Sequence, residues 1–376
     1  MTTATATLTF PRTVPARAWA ALASMLCMII GWNWDIAWHR TIGRDTVWTP
    51  PHVAVYSAVA VAFLYNAALV LSYTFGRLRG TPGIRVLWFV GPAATFITLW
   101  SILLQGTGFL FDSWWHDVYG LDVVLFSPPH YALTIAIALF HFAQFAVVAS
   151  YFNATEPVLR KVETGLLLLL WSFYIGHCQI MDYNWGPWQV RSVLYMATSA
   201  LFIPFGLVMI SEYLRSWTAG AKAALLYFGW NIVLMQIFQA FPASPQYAPV
   251  YHDIDFMLPP PFPLMLFLPA LAVGFVLYRL RIGAPVLKYL LGGAAFVAVF
   301  TAANWGTSAL QLSEWGDNSI VAGHYPSYVF HPSWKDVTPL APDLLTLGTA
   351  VASVLLAAVS IWAGVVVGGW LRRVVR

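Results

Sequence analysis

Charged residues are scarce in this chain. Asp, Glu, Lys and Arg together make up 9% of the sequence, whereas 60% of the residues are hydrophobic. In a soluble globular domain about a quarter of the residues are charged. The shortage of charge excludes an ordinary soluble domain and predicts a membrane protein whose main partner is the lipid bilayer.

Cysteine and linker sequence are also scarce. The only two cysteines, Cys27 and Cys178, fall inside apolar runs, which excludes a disulfide framework and favours a packing role. No Pro/Gly/Ser-rich linker interrupts the chain, so one integral domain is expected. The first apolar run ends in Trp32, Trp34 and Asp35 and not in a small-residue cleavage site, which argues against a cleavable signal peptide.

Long apolar runs fill most of the remaining sequence. About 20 apolar residues are needed for a helix to cross the hydrocarbon core, and ten runs approach or exceed that length. They predict an all-α, polytopic helical bundle of about ten transmembrane helices arranged as five hairpins. The runs are 18–36, 53–75, 86–111, 130–152, 162–181, 191–210, 221–241, 262–280, 287–306 and 344–368.

The basic residues predict the orientation, because Lys and Arg near the ends of spans stay on the cytoplasmic side. With the N-terminus inside, residues 1–17 form a cytoplasmic tail and both termini are cytoplasmic. The outer loops then keep only four of the 19 basic residues, Arg40, Arg44, Arg191 and Lys335. The basicity belongs to the cytoplasmic rim of a bacterial inner membrane, so no nucleic-acid partner is expected. A homo-oligomer or other membrane subunits would suit so apolar a surface.

One stretch occurs twice along the chain. The copies are GWNWDIAWHRTIGRDTVWTPPHVAVY and GFLFDSWWHDVYGLDVVLFSPPHYAL, and in each an acid is followed four residues later by a histidine and then by Pro-Pro-His. The offset between copies is 77 residues for the acid and first histidine and 78 for the second histidine. The two sets, both predicted at the outer, periplasmic face, are Asp35, His39 and His52, and Asp112, His116 and His130.

Two imidazoles and one carboxylate form a tridentate ligand set that leaves coordination positions open for water, oxygen or substrate. Such sets suit copper, iron(II) or zinc, and open positions are typical of catalytic sites. The acid and histidines of one set could instead pair with each other or cap backbone groups at helix ends. Two matched sets of ionisable residues at membrane depth favour the metal interpretation.

The remaining hairpins carry incomplete versions of this pattern. His177 and Asp182 are five residues apart, Phe262 stands where the first two copies have histidine, and residues 307–342 resemble a lid. His141 is expected to be a packing residue deeper in the membrane. The chain therefore divides into the tail, the duplicated hairpins 18–152, and three further hairpins 153–376 that serve as scaffold, pocket or lid.

These residues resemble the C subunit of the copper membrane monooxygenases, the family of particulate methane and ammonia monooxygenases. That family has an Asp-x3-His-x12-His set and an Asn-x3-His-x13-His set; this chain has Asp35-x3-His39-x12-His52 and Asp112-x3-His116-x13-His130. Over about residues 30–150, the resemblance implies copper at one or both sets and oxygen-dependent hydroxylation of a small apolar substrate. Asp112 replaces the family's Asn, the chain has more spans, and it lacks the family's soluble copper-binding domain.

Three alternatives to a copper enzyme fit the same residues. The first is a non-haem iron or zinc membrane enzyme with the same six ligands. The second is a metal permease or metal-delivery protein that captures an ion at the outer face, although few polar residues continue towards the cytoplasm. The third is a structural membrane subunit with no metal.

Overall fold

A computed structural model shows an all-α bundle. The residues it describes are 16–43, 47–77, 83–120, 127–153, 160–178, 193–246, 255–311, 313–316, 318–321 and 346–374. The helices are α1 (Ala16–Thr41), α2 (Pro50–Thr74), α3 (Ala93–Tyr119), α4 (Pro128–Phe152), α5 (Arg160–Cys178), α6 (Val193–Leu214), α7 (Ala219–Gln239), α8 (Phe267–Tyr278), α9 (Pro285–Gln311) and α10 (Leu347–Leu371).

Within these described residues, eight helices are long and apolar enough to cross a bilayer: α1, α2, α3, α4, α6, α7, α9 and α10. The prediction of an all-α, polytopic membrane bundle is confirmed. The protein is therefore an integral membrane protein, and the lipid bilayer is its surrounding medium. α5 and the short α8 lie outside this group of eight.

Two predicted spans differ from the observed helices. The eighth run was expected to be helical over 262–280, but α8 has only 12 residues, because the preceding segment contains Pro259, Pro260, Pro261 and Pro263, which cannot donate helix hydrogen bonds. The third run was expected to begin at residue 86. Instead β1 (Ile84–Val86) and β2 (Phe89–Gly91) form an antiparallel hairpin, and α3 begins at Ala93.

The first two predicted hairpins pack as pairs, α1 on α2 and α3 on α4, and α4 also contacts α1 and α5. The later helices depart from simple hairpins. α5 packs more extensively on α7 than on α6, and α6 lies mainly against α10. Small residues permit that approach: Gly364 and Gly368 sit against the α6 backbone, and Ser360 Oγ accepts a hydrogen bond from Phe205 N.

The helices alternate in direction, which defines two ends of the bundle. One end contains the C-termini of α1 and α3 and the N-termini of α2 and α4. It is called here the triad end, because both Asp/His/His sets lie there. At the opposite end, Arg372 forms an ion pair with Glu212, which also accepts a hydrogen bond from Tyr278 Oη at 3.0 Å. Asn153 Nδ2 donates to the carbonyl of Leu371 at the same end, so polar contacts join α4, α6, α8 and α10 there.

Candidate metal centre

Both sets of predicted ligands lie at the triad end, in the same arrangement. α1 and α3 continue beyond their apolar runs to Thr41 and Tyr119, so that acid and first histidine share the last turns of one helix. The second histidine lies in the first turn of the returning helix, directly after two prolines at its first two positions. Proline suits these positions because N–H groups there have no partner within the helix.

The second set, called here triad 2, consists of Asp112, His116 and His130. Nε2 of each histidine lies 3.5 Å from Oδ1 of Asp112, and the ring centroids are 6.4 Å apart. One ligand atom from each of the three residues lies within 4.8 Å of the others. The three side chains are each about a quarter exposed, so they are partly shielded from water but accessible.

Two further contacts orient the histidines of triad 2. Nδ1 of His116 lies 3.2 Å from the carbonyl oxygen of Gly120, and Nδ1 of His130 lies 3.0 Å from Oγ of Ser127. A carbonyl can only accept, so His116 donates through Nδ1, and in the neutral ring its Nε2 carries a lone pair. Hydrogen bonds of this kind to the distal ring nitrogen are typical of histidines that bind metals.

The first set, called here triad 1, consists of Asp35, His39 and His52. Oδ1 of Asp35 lies 3.2 Å from Nε2 of His52 and 3.6 Å from Nε2 of His39. The Asp35 side chain is only 13% exposed, whereas that of His39 is 39% exposed. Among the described residues, only triad 2 places three ligand atoms within 4.8 Å of one another, so triad 1 is the more open arrangement.

The carboxylates of the two triads share an unusual environment. Oδ1 of Asp35 and Oδ1 of Asp112 are both buried; Asp35 Oδ1 has His52 Nε2 at 3.2 Å, whereas Asp112 Oδ1 accepts no hydrogen bond of good geometry from any described residue. A buried carboxylate oxygen without a donor is costly. A cation held between the carboxylate and the two Nε2 atoms would remove that cost, so the donor set fits a metal ion.

Glycines set the spacing of the helices just beneath each triad. A Cβ at Gly31, one turn before Asp35, would lie 2.9 Å from Val55 Cγ2 and 3.0 Å from Val55 N. A Cβ at Gly108, one turn before Asp112, would lie 2.7 Å from Leu133 Cδ2. Such contacts are too short for a side chain, so glycine allows each helix to approach its partner closely enough for the acid to meet the second histidine.

Glycine also ends both helices, at equivalent places. Gly43 has φ 108° and Gly120 has φ 81°, a region that favours glycine. Each stands four residues after the first histidine, so both helices carry the pattern Gly-x3-Asp-x3-His-x3-Gly. These four glycines form no part of the pattern predicted from the sequence, although their spacing of four residues is a usable signal.

The two triads are neighbours in the bundle. The carboxylate of Asp35 in triad 1 is close enough to His130 of triad 2 for a weak electrostatic interaction between them. Tyr56, whose ring stacks on His52 at 6.2 Å between centroids, also meets Phe109 of α3 edge-on at 5.1 Å. The first and second hairpins therefore bring six candidate ligands to one region.

A polar contact between the hairpins lies deeper in the bundle. Asn66 and Gln144, which stand 78 residues apart at corresponding positions, contact each other at 3.4 Å. Contact between corresponding residues is expected where two similar units face each other across a local two-fold axis. Gln144 also donates to Ser24 Oγ at 2.8 Å, which links α1, α2 and α4.

The other sequence candidates do not join the triads. Phe262 is buried and packs edge-on against Phe228 at 5.5 Å, as an apolar residue would. His141 and His177 meet each other in the interior instead. Asp182 and most of the loop 307–342 lie outside the described residues.

Comparison of the chain with protein-family models, with curated proteins and with solved structures finds no match. Its function is therefore inferred from the residues and geometry of the two triads.

Proposed function

We propose that the protein is a membrane-embedded, metal-dependent oxygenase that hydroxylates a small apolar substrate at the paired triads, with copper as its metal. The observation that supports this most is triad 2, where one carboxylate oxygen and two imidazole nitrogens converge within 4.8 Å. Three protein ligands leave positions open for oxygen and substrate, as in catalytic metal sites.

Copper is preferred because of the resemblance of both ligand spacings to the copper membrane monooxygenases. An iron(II) enzyme is the second candidate, and a specific feature favours it. Asp112 stands where that family has Asn, which turns triad 2 into two histidines and one carboxylate. That combination is the facial ligand set of non-haem iron oxygenases. Zinc would suit the same ligands but would support hydrolytic chemistry and not oxygen activation.

An apolar cavity lies next to α1 and would suit an apolar substrate, but none of the six candidate ligands lines it. It has a volume of about 740 Å³, within the range of small-molecule sites. α1 contributes to it through Trp34 and Trp38, which are sequence neighbours of Asp35 and His39. The cavity is lined by Ile30, Trp34, Trp38, Ile42, Ile237, Phe238, Phe241, Pro242, Ala243, Ser244, Gln246, Asp255 and Met257.

The bound metal would supply oxygen activation: one atom of O₂ enters a C–H bond and the other becomes water, with two protons and two electrons from a reductant such as a quinol. The protein's own residues would hold and orient the metal ligands. Gly120 O and Ser127 Oγ fix the imidazole rings of His116 and His130.

The charge pattern further supports an orientation for this activity. The scarcity of Lys and Arg in the loops at the triad end favours the outer, periplasmic face of a bacterial inner membrane for both triads. Oxygen and an apolar substrate would reach the site from the bilayer or from that face. A homo-oligomer is also part of this proposal.

Metal analysis and turnover of purified protein test the proposal. The protein, in nanodiscs and loaded separately with copper, iron(II) or zinc, would be assayed for stoichiometric metal and for O₂ consumption coupled to hydroxylation, with a reduced quinol supplied. We expect copper to be retained and to support turnover. Turnover with iron(II) alone would instead select the second candidate.

The control variant is Glu314→Gln, which removes an acid in a 3-10 helix outside both triads. It should retain metal and activity, whereas His130→Ala should lose both. Protein that binds no transition metal in any of the three loadings would contradict the proposal and favour a structural subunit. Retained metal without oxygen consumption, together with metal movement across proteoliposomes, would favour a permease.

A further inference from the structure

Two histidines outside the triads meet in the interior of the bundle. His141 of α4 and His177 of α5 are 0% and 1% exposed. Their ring centroids are 5.5 Å apart and their planes are 19° from parallel. A fully buried pair of imidazoles is costly unless its nitrogens have partners.

Each ring uses one nitrogen to bond a backbone carbonyl of α4. His141 Nδ1 lies 2.9 Å from the carbonyl oxygen of Ile137, and His177 Nε2 lies 2.9 Å from that of Thr134. Because a carbonyl oxygen only accepts, both of these nitrogens carry the proton. The other two nitrogens, His141 Nε2 and His177 Nδ1, are therefore lone-pair acceptors in the neutral rings.

Those two lone pairs have no donor. Both atoms are buried, and neither makes a hydrogen bond to any described residue. The surroundings are aromatic: Trp32, whose buried Nε1–H also has no partner among the described residues, lies 6.1 Å from the His177 ring, and Phe140 lies 5.8 Å from the His141 ring. Two neutral imidazole nitrogens that can act as metal ligands therefore lie in a buried aromatic pocket.

We propose that His141 and His177 bind one soft monovalent cation, Cu⁺, at a site separate from the two triads. Imidazole nitrogen is a good ligand for copper, and Cu⁺ accepts two-coordinate binding. The described residues in contact with the pair include no carboxylate that could offset a second charge, and the cost of burying an ion rises with the square of its charge. A monovalent ion is thus favoured over Zn²⁺ or Cu²⁺.

The position of the pair gives the site a role. His177 bonds the carbonyl of Thr134, one turn along α4 from His130, and contacts Trp32, three residues before Asp35. The pair therefore lies just inside both triads, towards the bilayer interior. A Cu⁺ ion there is stored, or passed on, within reach of the triads while it is shielded from water and oxidation. This site does not depend on the triads holding copper.

The test compares the wild-type full-length protein with the variants His141→Gln and His177→Gln, all in nanodiscs. Each protein is titrated with Cu⁺ in competition with a Cu⁺-specific chelator, under anaerobic, reducing conditions. Glutamine retains a donor for the carbonyl contact but supplies no imidazole nitrogen. We expect each variant to bind one Cu⁺ equivalent fewer than the wild type, with the triads intact in all three proteins. Ag⁺ should report the same difference, and Zn²⁺ should not.

His141→Met serves as the matched variant, because a thioether also binds Cu⁺. It should recover the equivalent that His141→Gln loses, and it covers the case in which the glutamine variants do not fold. Equal Cu⁺ binding by wild type and both folded glutamine variants would overturn the proposal, and so would failure of a folded His141→Met to bind the additional ion. Those results are expected if the two histidines only hold a water molecule or only pack against each other. A triad variant that loses oxygenase activity but still binds the Cu⁺ equivalent at His141 and His177 would show that this site is independent of the proposed oxygenase function.

Discussion

Triad 1 and triad 2 have the same residue types on corresponding helices, yet they differ in how closely the ligands converge. In triad 2 the three ligand atoms lie within 4.8 Å of one another, and Gly120 and Ser127 orient both imidazoles. In triad 1 the carboxylate is more buried but His39 is more exposed. The difference shows that ligand identity and spacing do not by themselves determine preorganisation.

The largest expected effect distinguishes the triads directly. His130→Ala removes one of three ligands from the more compact site, so we expect the most tightly bound metal equivalent to be lost. His52→Ala should remove a weaker equivalent and leave the tight one in place. The metal content of each variant is measured after dialysis against a chelator of intermediate affinity, which removes the weakly bound equivalent and leaves the tightly bound one. Loss of the tight equivalent on His52→Ala alone would reverse the ranking of the triads.

The glycines beneath the acids provide a comparison of stability. A Cβ at Gly31 would press on the backbone nitrogen of Val55, which cannot move independently, whereas a Cβ at Gly108 would meet mainly the flexible end of Leu133. Gly31→Ala should therefore lower the free energy of unfolding by about 1–3 kcal/mol, the range for overpacked sites. Gly108→Ala should cost less. Denaturation in mixed micelles measures both, and equal values would refute the steric explanation.

Ser127 allows a test of whether the hydrogen bond to His130 Nδ1 contributes to metal affinity at triad 2. Ser127→Ala removes the hydroxyl beside His130 Nδ1 but leaves the three ligands, so we expect metal affinity to fall by roughly 10–100-fold with little change in stability. Ser57→Ala is the matched control, because its hydroxyl bonds only the Val53 carbonyl within α2. Competitive metal titration measures the affinities. Unchanged affinity in Ser127→Ala would mean that the hydroxyl does not orient the ring.

The smallest effect concerns the glycines that end α1 and α3. Alanine at Gly43 or Gly120 must adopt positive φ, which costs about 1–2 kcal/mol. Both variants should therefore lose similar stability. Gly120→Ala should in addition weaken metal binding at triad 2, since its carbonyl holds His116. A calorimetric comparison of the two variants, with and without metal, would separate these effects; equal metal stabilisation in both would contradict the role of Gly120.

Much of the fold could be predicted from the sequence because apolar run length is a strong signal in membrane proteins. The placement of Asp35, His39 and His52 beside one another also followed from helical spacing and Pro-Pro-His. Helix boundaries were less predictable. Apolar residues before α8 are held in a non-helical path by prolines and by contacts such as Leu264 N to Tyr227 Oη at 3.0 Å, which hydropathy cannot reveal.

Contacts between helices that are distant in the chain could not be predicted from the sequence. His141 was expected to be a satisfied packing residue, but only its Nδ1 has a partner, and its ring faces His177 from another hairpin. The packing of α6 against α10 likewise depends on Gly364 and Gly368 fitting a backbone far away in the chain. No spacing rule within a single sequence specifies which helices become neighbours.

Locating the bound metal in the loaded protein is the most direct test of the proposed function. Anomalous diffraction at the metal edge, or X-ray absorption with His130→Ala for comparison, would identify the ligands. We expect a metal bound by Nε2 of His116, Nε2 of His130 and Oδ1 of Asp112, at about 2.0–2.2 Å from each. Stoichiometric metal bound elsewhere with triad 2 empty, or protein that carries no metal, would contradict it.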